Sequence, residues 1–247
     1  MGAEVIRINH AFNSSISSII PFFSVYLDNN FCEELMKKVF GSLALLAALL
    51  ALPTWAMEVG PATLVDNTAQ EVLAIVRQDK DIRAGNTAKI LDLVEAKILP
   101  HFDFTRMTRL AMGKNWSKAA PEQQQQLVKE FRTLLVRTYS NALTTYRDHT
   151  IKVEPLKAKA DNSDTLVKTQ VMQGHGQQPV PIDYSMEKTG DGWKVYDVTV
   201  AGVSLVTNYR STFNSQVHEG GVEKLIKTLT DKNRALIAGD KKADAAP

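Results

Sequence analysis

The spacing of apolar residues changes twice along the chain, at Thr150 and after Gly202, and this limits the possible folds more than any other feature. Before residue 150 apolar residues recur every three or four positions, which is typical of amphipathic helices. Between 150 and 200 the residues are β-branched or aromatic and short turn sequences separate them, which is typical of strands. The helical period then returns. The order predicts an α+β fold, with an antiparallel sheet covered on one face by helices.

Four strands are predicted in the middle section, at 150–153, 165–172, 180–188 and 192–200. Because short turns connect them, we expect a four-stranded antiparallel meander. The longest helix is predicted to begin at Pro121, with an apolar stripe that continues as far as Tyr146. Gly220-Gly221 is expected to interrupt the C-terminal helix.

The N-terminal part contains a secretory signal peptide pattern at 36–56. Met36-Lys37-Lys38 supplies the basic start, 39–52 is apolar, and small residues stand at Thr54 and Ala56. The apolar run is shorter than the roughly 20 residues that cross a bilayer, so cleavage after Ala56 is predicted. Residues 1–35 are then expected to be an upstream extension outside the native product.

The predicted mature chain is one domain at 57–238, followed by a flexible tail at 239–247. The only cysteine of the sequence, Cys32, lies before the cleavage site. Neither a disulfide nor a cysteine nucleophile is therefore expected in the mature chain. Three basic and four acidic residues precede the cut, so a chain with 29 basic and 27 acidic residues keeps a net charge of +3. That excess is too small and too dispersed to indicate nucleic-acid binding.

Motifs for catalysis or metal binding are absent from the sequence. It contains no Gly-rich phosphate loop, no Gly-x-Ser-x-Gly elbow and no His-Glu-x-x-His motif. The histidines stand far apart without ligands at metal spacing. We therefore predict no catalytic residues, no metal and no cofactor.

One enzyme alternative involves Asp183, Tyr184, Tyr196 and Asp197, which resemble the carboxylate and phenol pair of a ketosteroid-isomerase-type cone. Strict alternation places the two neighbours within each strand on opposite faces, so they cannot share a pocket. A cross-strand pair of Asp183 with Asp197 stays open.

Apolar residues are predicted to share one face of the last two strands. They are Val180, Ile182, Tyr184 and Met186 in one strand, and Tyr196, Val198 and Val200 in the next. This face can form either a dry core, as in a ligand-free periplasmic adaptor, or the wall of a ligand cavity. The pattern alone leaves both open.

Four segments resemble the MlaC, or toluene-tolerance, family of periplasmic phospholipid-binding proteins. They are FDFTRM at 102–107, AMGKNW at 111–116, TYSNAL at 138–143 and GWKVYDVTVAGVSLVTNYR at 192–210. They occur in the family's order, and the likeness runs from about Pro61 to Asn233.

The resemblance implies a sheet of the nuclear-transport-factor type, with helices over it and an apolar cavity for acyl chains between them. It implies a periplasmic carrier in a Gram-negative bacterium, which shuttles glycerophospholipid and so maintains outer-membrane lipid asymmetry. The implied partners are an inner-membrane ABC transporter with an MCE subunit and an outer-membrane lipoprotein complex, with phospholipid as cargo.

Nine residues are predicted to line this cavity. By resemblance they include Tyr139, Val180, Tyr196 and Val203, the last placed at the start of the final helix. Periodicity adds Leu143, Ile182, Tyr184, Met107 and Leu110.

Overall fold

The computed structural model describes residues 59–140, 142–145, 148–156, 163–173 and 176–244. The predicted signal peptide, the upstream extension and Cys32 lie outside these ranges. The described residues all belong to one unit, Glu58–Pro247.

Six α-helices and two 3-10 helices, Leu99–His101 and Gly113–Lys118, precede the sheet in the described part of the chain. The α-helices are numbered in chain order. They are α1 Pro61–Gln78, α2 Lys80–Arg83, α3 Thr87–Lys97, α4 Phe104–Met112, α5 Pro121–Tyr139 and α6 Ala142–Thr145. Short polar side chains begin several of them: Asp79, Asn86 and Asp103 each accept a hydrogen bond from a backbone N–H in the first turn of α2, α3 and α4. Proline occupies the first turn of α1 and α5, where its missing N–H leaves no hydrogen bond unmade.

The sheet is an antiparallel meander, as predicted, with the strands in sequence order. The strands are β1 Thr150–Val153, β2 Asp164–Met172, β3 Val180–Thr189, β4 Gly192–Val200 and β5 Val203–Ser204. The predicted count of four omitted β5. Ala201 (φ 49°) and Gly202 (φ 82°) form a tight turn that lets Val203 pair with Val200. Val203 therefore lies in a strand, and not at the start of the helix as predicted.

A β-bulge interrupts the register between β3 and β4. Ser185 pairs with Asp197 and Met186 pairs with Val195, so Tyr196 has no partner across the ladder. The extra residue reverses the alternation of the strand. Val195 therefore shares the face of Met186, and the predicted grouping of Tyr196 with Val198 and Val200 on one face is wrong.

The C-terminal helix α7 spans Leu205–Asp244 and is interrupted at Gly220 and Gly221, where the backbone angles are not helical. The predicted break is confirmed. The second half of α7 reaches into the stretch expected to be flexible, and an Arg137–Asp240 ion pair of 2.5 Å joins its end to α5.

Three apolar clusters hold these elements together. The helical core joins α4, α5 and α7 around Phe131, whose ring lies 5.0 Å from those of Tyr209 and Phe213 in edge-to-face geometry. The sheet core packs Val65 of α1 against buried side chains of β2, β3 and β4. The α1–α3 core packs the second half of α1 against α2 and α3; its buried members are Val72, Val76, Ile82, Ile90 and Leu93.

Candidate functional site

An apolar surface on β3 and β4 is only half-buried and forms the candidate site. We call it the sheet patch, and its members are Val180, Ile182, Tyr184, Val198 and Val200. Ile182 lies opposite Val200, and Tyr184 lies opposite Val198. Paired residues of an antiparallel ladder point to the same face, so these side chains form one continuous surface.

The same face is closed farther along the sheet. Met186, Val195 and Trp193 are buried there at 0%, 3% and 5% exposure, with Val65 of α1 packed against them. One face thus passes from a filled core to an apolar surface that keeps contact with solvent. Apolar area left in water costs about 25 cal/mol per Å², so occupation of the patch by an apolar ligand is favourable.

Two predicted residues come from the helices between 121 and 145. Tyr139 ends α5 and is 41% exposed, and its phenol lies beside that of Tyr209. Burial, together with the Tyr139 hydroxyl, raises the pKa of Tyr209 to about 12. Leu143 of α6 is half-buried and packs against the α1–α3 core. Tyr209 was not predicted, although it belongs to the helical stripe of α7.

Tyr196 lies away from the sheet patch, in a charged setting. The Arg106 guanidinium stacks 3.6 Å above the centre of its ring. Arg106 also donates a hydrogen bond to Asp164 at 2.8 Å and forms an ion pair with Glu187. Asp164 and Glu187 are paired across the β2–β3 ladder. Glu187 follows Met186, which lies on the face of the patch, and neighbouring residues of a strand point to opposite faces. These contacts therefore lie on the face opposite the patch. Burial raises the pKa of the Tyr196 phenol, and the carboxylate of Asp164 adds to the effect.

The carboxylates of the enzyme alternative are not opposite each other. Asp183 pairs with Thr199, and Asp197 pairs with Ser185. Asp197 accepts hydrogen bonds from the Ser204 hydroxyl at 2.5 Å and from the Val206 N–H at 3.1 Å. Its carboxylate therefore caps the start of α7.

The remaining predicted residues are dispersed. Met107 is 1% exposed inside the helical core, and Leu110 is half-buried at its edge. Val203 is 57% exposed on β5. The structure thus brings together Val180, Ile182 and Tyr184 from the predicted set, and it adds Val198 and Val200, which the strand pattern had placed on that face.

The described part of the chain contains neither a metal-binding group of side chains nor a membrane-spanning helix. No three side chains of the His, Cys, Asp or Glu type gather there in a metal-binding group. None of its helices is long and apolar enough to cross a bilayer.

Three comparisons relate the chain to known proteins. The sequence model of the family described as "MlaC protein" matches residues 66–231. "Toluene tolerance protein ttg2D" of Pseudomonas putida is 29% identical over 208 residues, covering 84% of this chain and 94% of that protein. "Intermembrane phospholipid transport system binding protein MlaC" of Haemophilus influenzae is 24% identical over 197 residues, covering 78% and 92%.

A solved structure adds a three-dimensional match. It is a phospholipid-binding protein from Ralstonia solanacearum in complex with a phospholipid, 40% identical in sequence, with a TM-score of 0.67. The match covers 72% of this chain and 99% of that one.

Proposed function

This chain belongs to the MlaC family, and from that we propose that it is a periplasmic phospholipid-binding protein that transports lipid between membranes. The observation that carries the proposal is the half-buried sheet patch, an apolar surface whose five side chains all keep contact with solvent. The Ralstonia relative, described with a phospholipid bound, supports the same reading.

The physical need for such a carrier follows from the cost of exposing acyl chains to water. Each methylene group in water costs about 0.8 kcal/mol, so a lipid with roughly thirty methylenes costs on the order of 20 kcal/mol to expose. Unassisted diffusion across an aqueous gap is negligible at that cost. A protein that shields the chains removes most of the barrier while the polar head group stays near solvent.

In the proposed complex, the acyl chains lie against the sheet patch. Tyr139 and Leu143 approach from the helical side, with Tyr209 beside Tyr139. Met107 and Leu110 belong to the helical core, on which Tyr196 packs, and so support the fold from that side. Tyr196 acts through Arg106, on the other face of the sheet, and so supports the fold beside the lipid site.

The cellular setting is part of the proposal. After cleavage behind Ala56 the mature chain works in the periplasm of a Gram-negative bacterium and helps to maintain outer-membrane lipid asymmetry. It exchanges glycerophospholipid with an inner-membrane ABC transporter that has an MCE subunit and with an outer-membrane lipoprotein complex. The family is one of phospholipid-binding transport proteins and not an enzyme family. We propose that this chain, too, catalyses no reaction.

Transfer of a fluorescent phospholipid from donor to acceptor vesicles tests the proposal. Ile182→Asp places a charge in the sheet patch, and we expect it to slow transfer at least tenfold because a buried carboxylate opposes acyl chains. The matched control is Leu166→Asp, at a side chain that is 45% exposed and alternates with buried Val167, so it lies on the other face.

The control should transfer lipid within about twofold of the native rate, since its carboxylate stays in water. Circular dichroism establishes that both variants are folded. Equal transfer by the two folded variants would contradict the lipid site, and so would a native chain that transfers no lipid.

A further inference from the structure

A surface groove of about 780 Å³ between α4 and the first half of α7 carries positive charges that the lipid site does not use. Arg109 lies in the last turn of α4, Lys114 lies in the 3-10 helix that follows, and Arg210 comes from α7; all three are exposed. Thr207, Ser211 and Asn214 supply further polar groups to its wall, and none of its lining residues is acidic.

These cations lack carboxylate partners within the described residues. The side chains of Arg109 and Lys114 make no ion pair or hydrogen bond there, and Arg210 uses only its Nε, which donates to the Leu110 carbonyl at 2.9 Å. That bond holds the Arg210 guanidinium over the groove. Unpaired like charges that line one groove repel one another, so an anion in the groove would relieve their repulsion.

A second groove provides an internal comparison. It measures about 590 Å³ and lies between α5 and the second half of α7. Its basic residues, Lys227 and Arg234, both pair with Asp231, and Glu223 adds a second carboxylate to the lining. The charges of that groove are therefore neutralised within the protein, whereas those of the α4–α7 groove are available to a partner.

The cationic groove continues into an exposed apolar turn. Thr207, Arg210, Ser211 and Asn214 follow the spacing of a single helical stripe. The Thr207 hydroxyl lies 3.1 Å from that of Ser204, whose neighbour Val203 is 57% exposed. Val203 pairs with Val200 and so lies on the sheet-patch face of β5, directly before this polar stripe in the chain.

We propose that this surface docks on an anionic phospholipid bilayer, with lipid phosphates in the groove and Val203 at the level of the upper acyl chains. The inference rests on the proposed function, because a carrier that exchanges lipid with membrane complexes works beside the surfaces of both membranes. A bilayer presents anionic phosphates to the cations of the groove and apolar chains to the exposed side chain of Val203 beside it. An acidic protein segment would satisfy the cations but gives no role to Val203.

Three cations and one apolar side chain provide only weak, salt-sensitive attachment. That strength suits the role, because a carrier that delivers its lipid has to leave the membrane again.

Co-sedimentation with vesicles of phosphatidylethanolamine and phosphatidylglycerol tests the docking surface, with pure phosphatidylcholine vesicles as the uncharged reference. The test variant is Arg109→Gln with Lys114→Gln, which leaves the Arg210–Leu110 bond in place. The control is Lys227→Gln with Arg234→Gln, which removes the same charge from the neutralised groove.

We expect the native chain to bind the anionic vesicles in a salt-dependent way and the uncharged vesicles poorly. The Arg109/Lys114 variant should bind the anionic vesicles roughly 25-fold more weakly, about fivefold for each charge, and the control within about twofold. Equal loss in both variants would overturn the proposal, as would native binding that ignores lipid charge. Inorganic phosphate that displaces the chain from vesicles at low concentration would assign the groove to a free anion and also overturn it.

Extraction of bound phospholipid from each variant separates this inference from the proposed function. A native chain that retains lipid but shows no charge-dependent vesicle binding contradicts only the docking surface. A native chain without extractable lipid contradicts the proposed function itself.

Discussion

Arg106 joins the first turn of α4 to three neighbouring strands of the sheet. Its guanidinium contacts Asp164 of β2, Glu187 of β3 and Tyr196 of β4. Arg106 is 20% exposed and Glu187 is 22% exposed, so the pair is largely shielded from solvent. Burial of the guanidinium opposes its charge, but the hydrogen bonds to Glu187 and Asp164 outweigh this effect and raise the Arg106 pKa.

Replacement of Arg106 by Gln should lower the free energy of unfolding by about 1–3 kcal/mol, because Glu187 loses its partner and Tyr196 its stacked cation. Urea denaturation measures the effect. Lys227→Gln is the control: its side chain is 78% exposed, and its removal should cost less than about 0.5 kcal/mol. A loss at Arg106 no larger than at Lys227 would show that the contacts contribute nothing.

Tyr209 makes stability depend on pH at the alkaline end. Burial, with a contribution from Tyr139, raises its pKa to about 12, above the value near 10 expected in the unfolded chain. The folded state then holds a proton that the unfolded state has lost, so stability is complete below pH 10 and falls as the pH rises towards 12.

We expect Tyr209→Phe to reduce this alkaline loss, which urea denaturation at a series of pH values measures. A tyrosine absorbance titration of the native chain should contain one component near 12 that the variant lacks. Identical pH profiles of the two proteins would argue against the assignment.

Single residues of the site could be predicted where the strand alternates regularly, and not elsewhere. Val180, Ile182 and Tyr184 lie on one face because β3 contains no irregularity before Ser185. Tyr196 was misplaced because a bulge adds a residue without changing the residue types around it. Its position depends on contacts with Arg106, far away in the sequence, and no local pattern reports them.

At the scale of elements, α7 depends on the backbone of Gly221, with φ 76° and ψ −177°. Residues that carry a side chain rarely adopt this backbone conformation. Nothing lies within 4 Å of an added Cβ at this residue, so strain and not collision would decide the effect of a substitution.

Gly221→Ala should therefore destabilise the fold by about 1–3 kcal/mol in urea denaturation. Gly239→Ala is the matched control, because its Cβ would also meet open space and its φ is ordinary. There we expect no loss and a gain of up to about 1 kcal/mol from better helix propensity. A tolerated Gly221→Ala would mean that α7 can straighten at this position.

Elements with a sustained period were predicted closely, and short ones were not. The predicted bounds of the first four strands lie within one residue of the observed ones. Strand β5 has only two residues, too few to establish a period, and it forms because a tight turn returns Val203 to Val200. The predicted stripe of the longest helix continued to Tyr146, whereas α5 ends at Tyr139 and Tyr146 lies outside the described residues.

For the whole molecule, α1 connects two of the three clusters. Its first half packs Val65 against the sheet core, and its second half packs Val72 and Val76 into the α1–α3 core. Arg77 donates to the His149 carbonyl at 2.8 Å, just before the sheet begins. Movement of α1 would therefore disturb both clusters, so we expect lipid entry to involve other elements, such as α6 and the helices beside the sheet patch.

Export of the chain is a prediction that concerns the full sequence. In a Gram-negative host the precursor should be cleaved after Ala56, so the periplasmic fraction should contain a chain that begins at Met57. N-terminal sequencing of that fraction checks the prediction. Substitution of Ala56 by a large residue such as Phe should block cleavage, whereas a chain that keeps residues 36–56 in its native form would contradict the signal peptide.

Native mass spectrometry of the periplasmic chain, purified without detergent and followed by lipid extraction, shows most directly whether the fold holds phospholipid against the sheet patch. We expect a complex heavier than the chain by one or two phospholipids, an added mass that disappears on denaturation and is strongly reduced in Ile182→Asp but not in Leu166→Asp. A chain that carries no added mass and yields no extractable phospholipid would contradict this expectation.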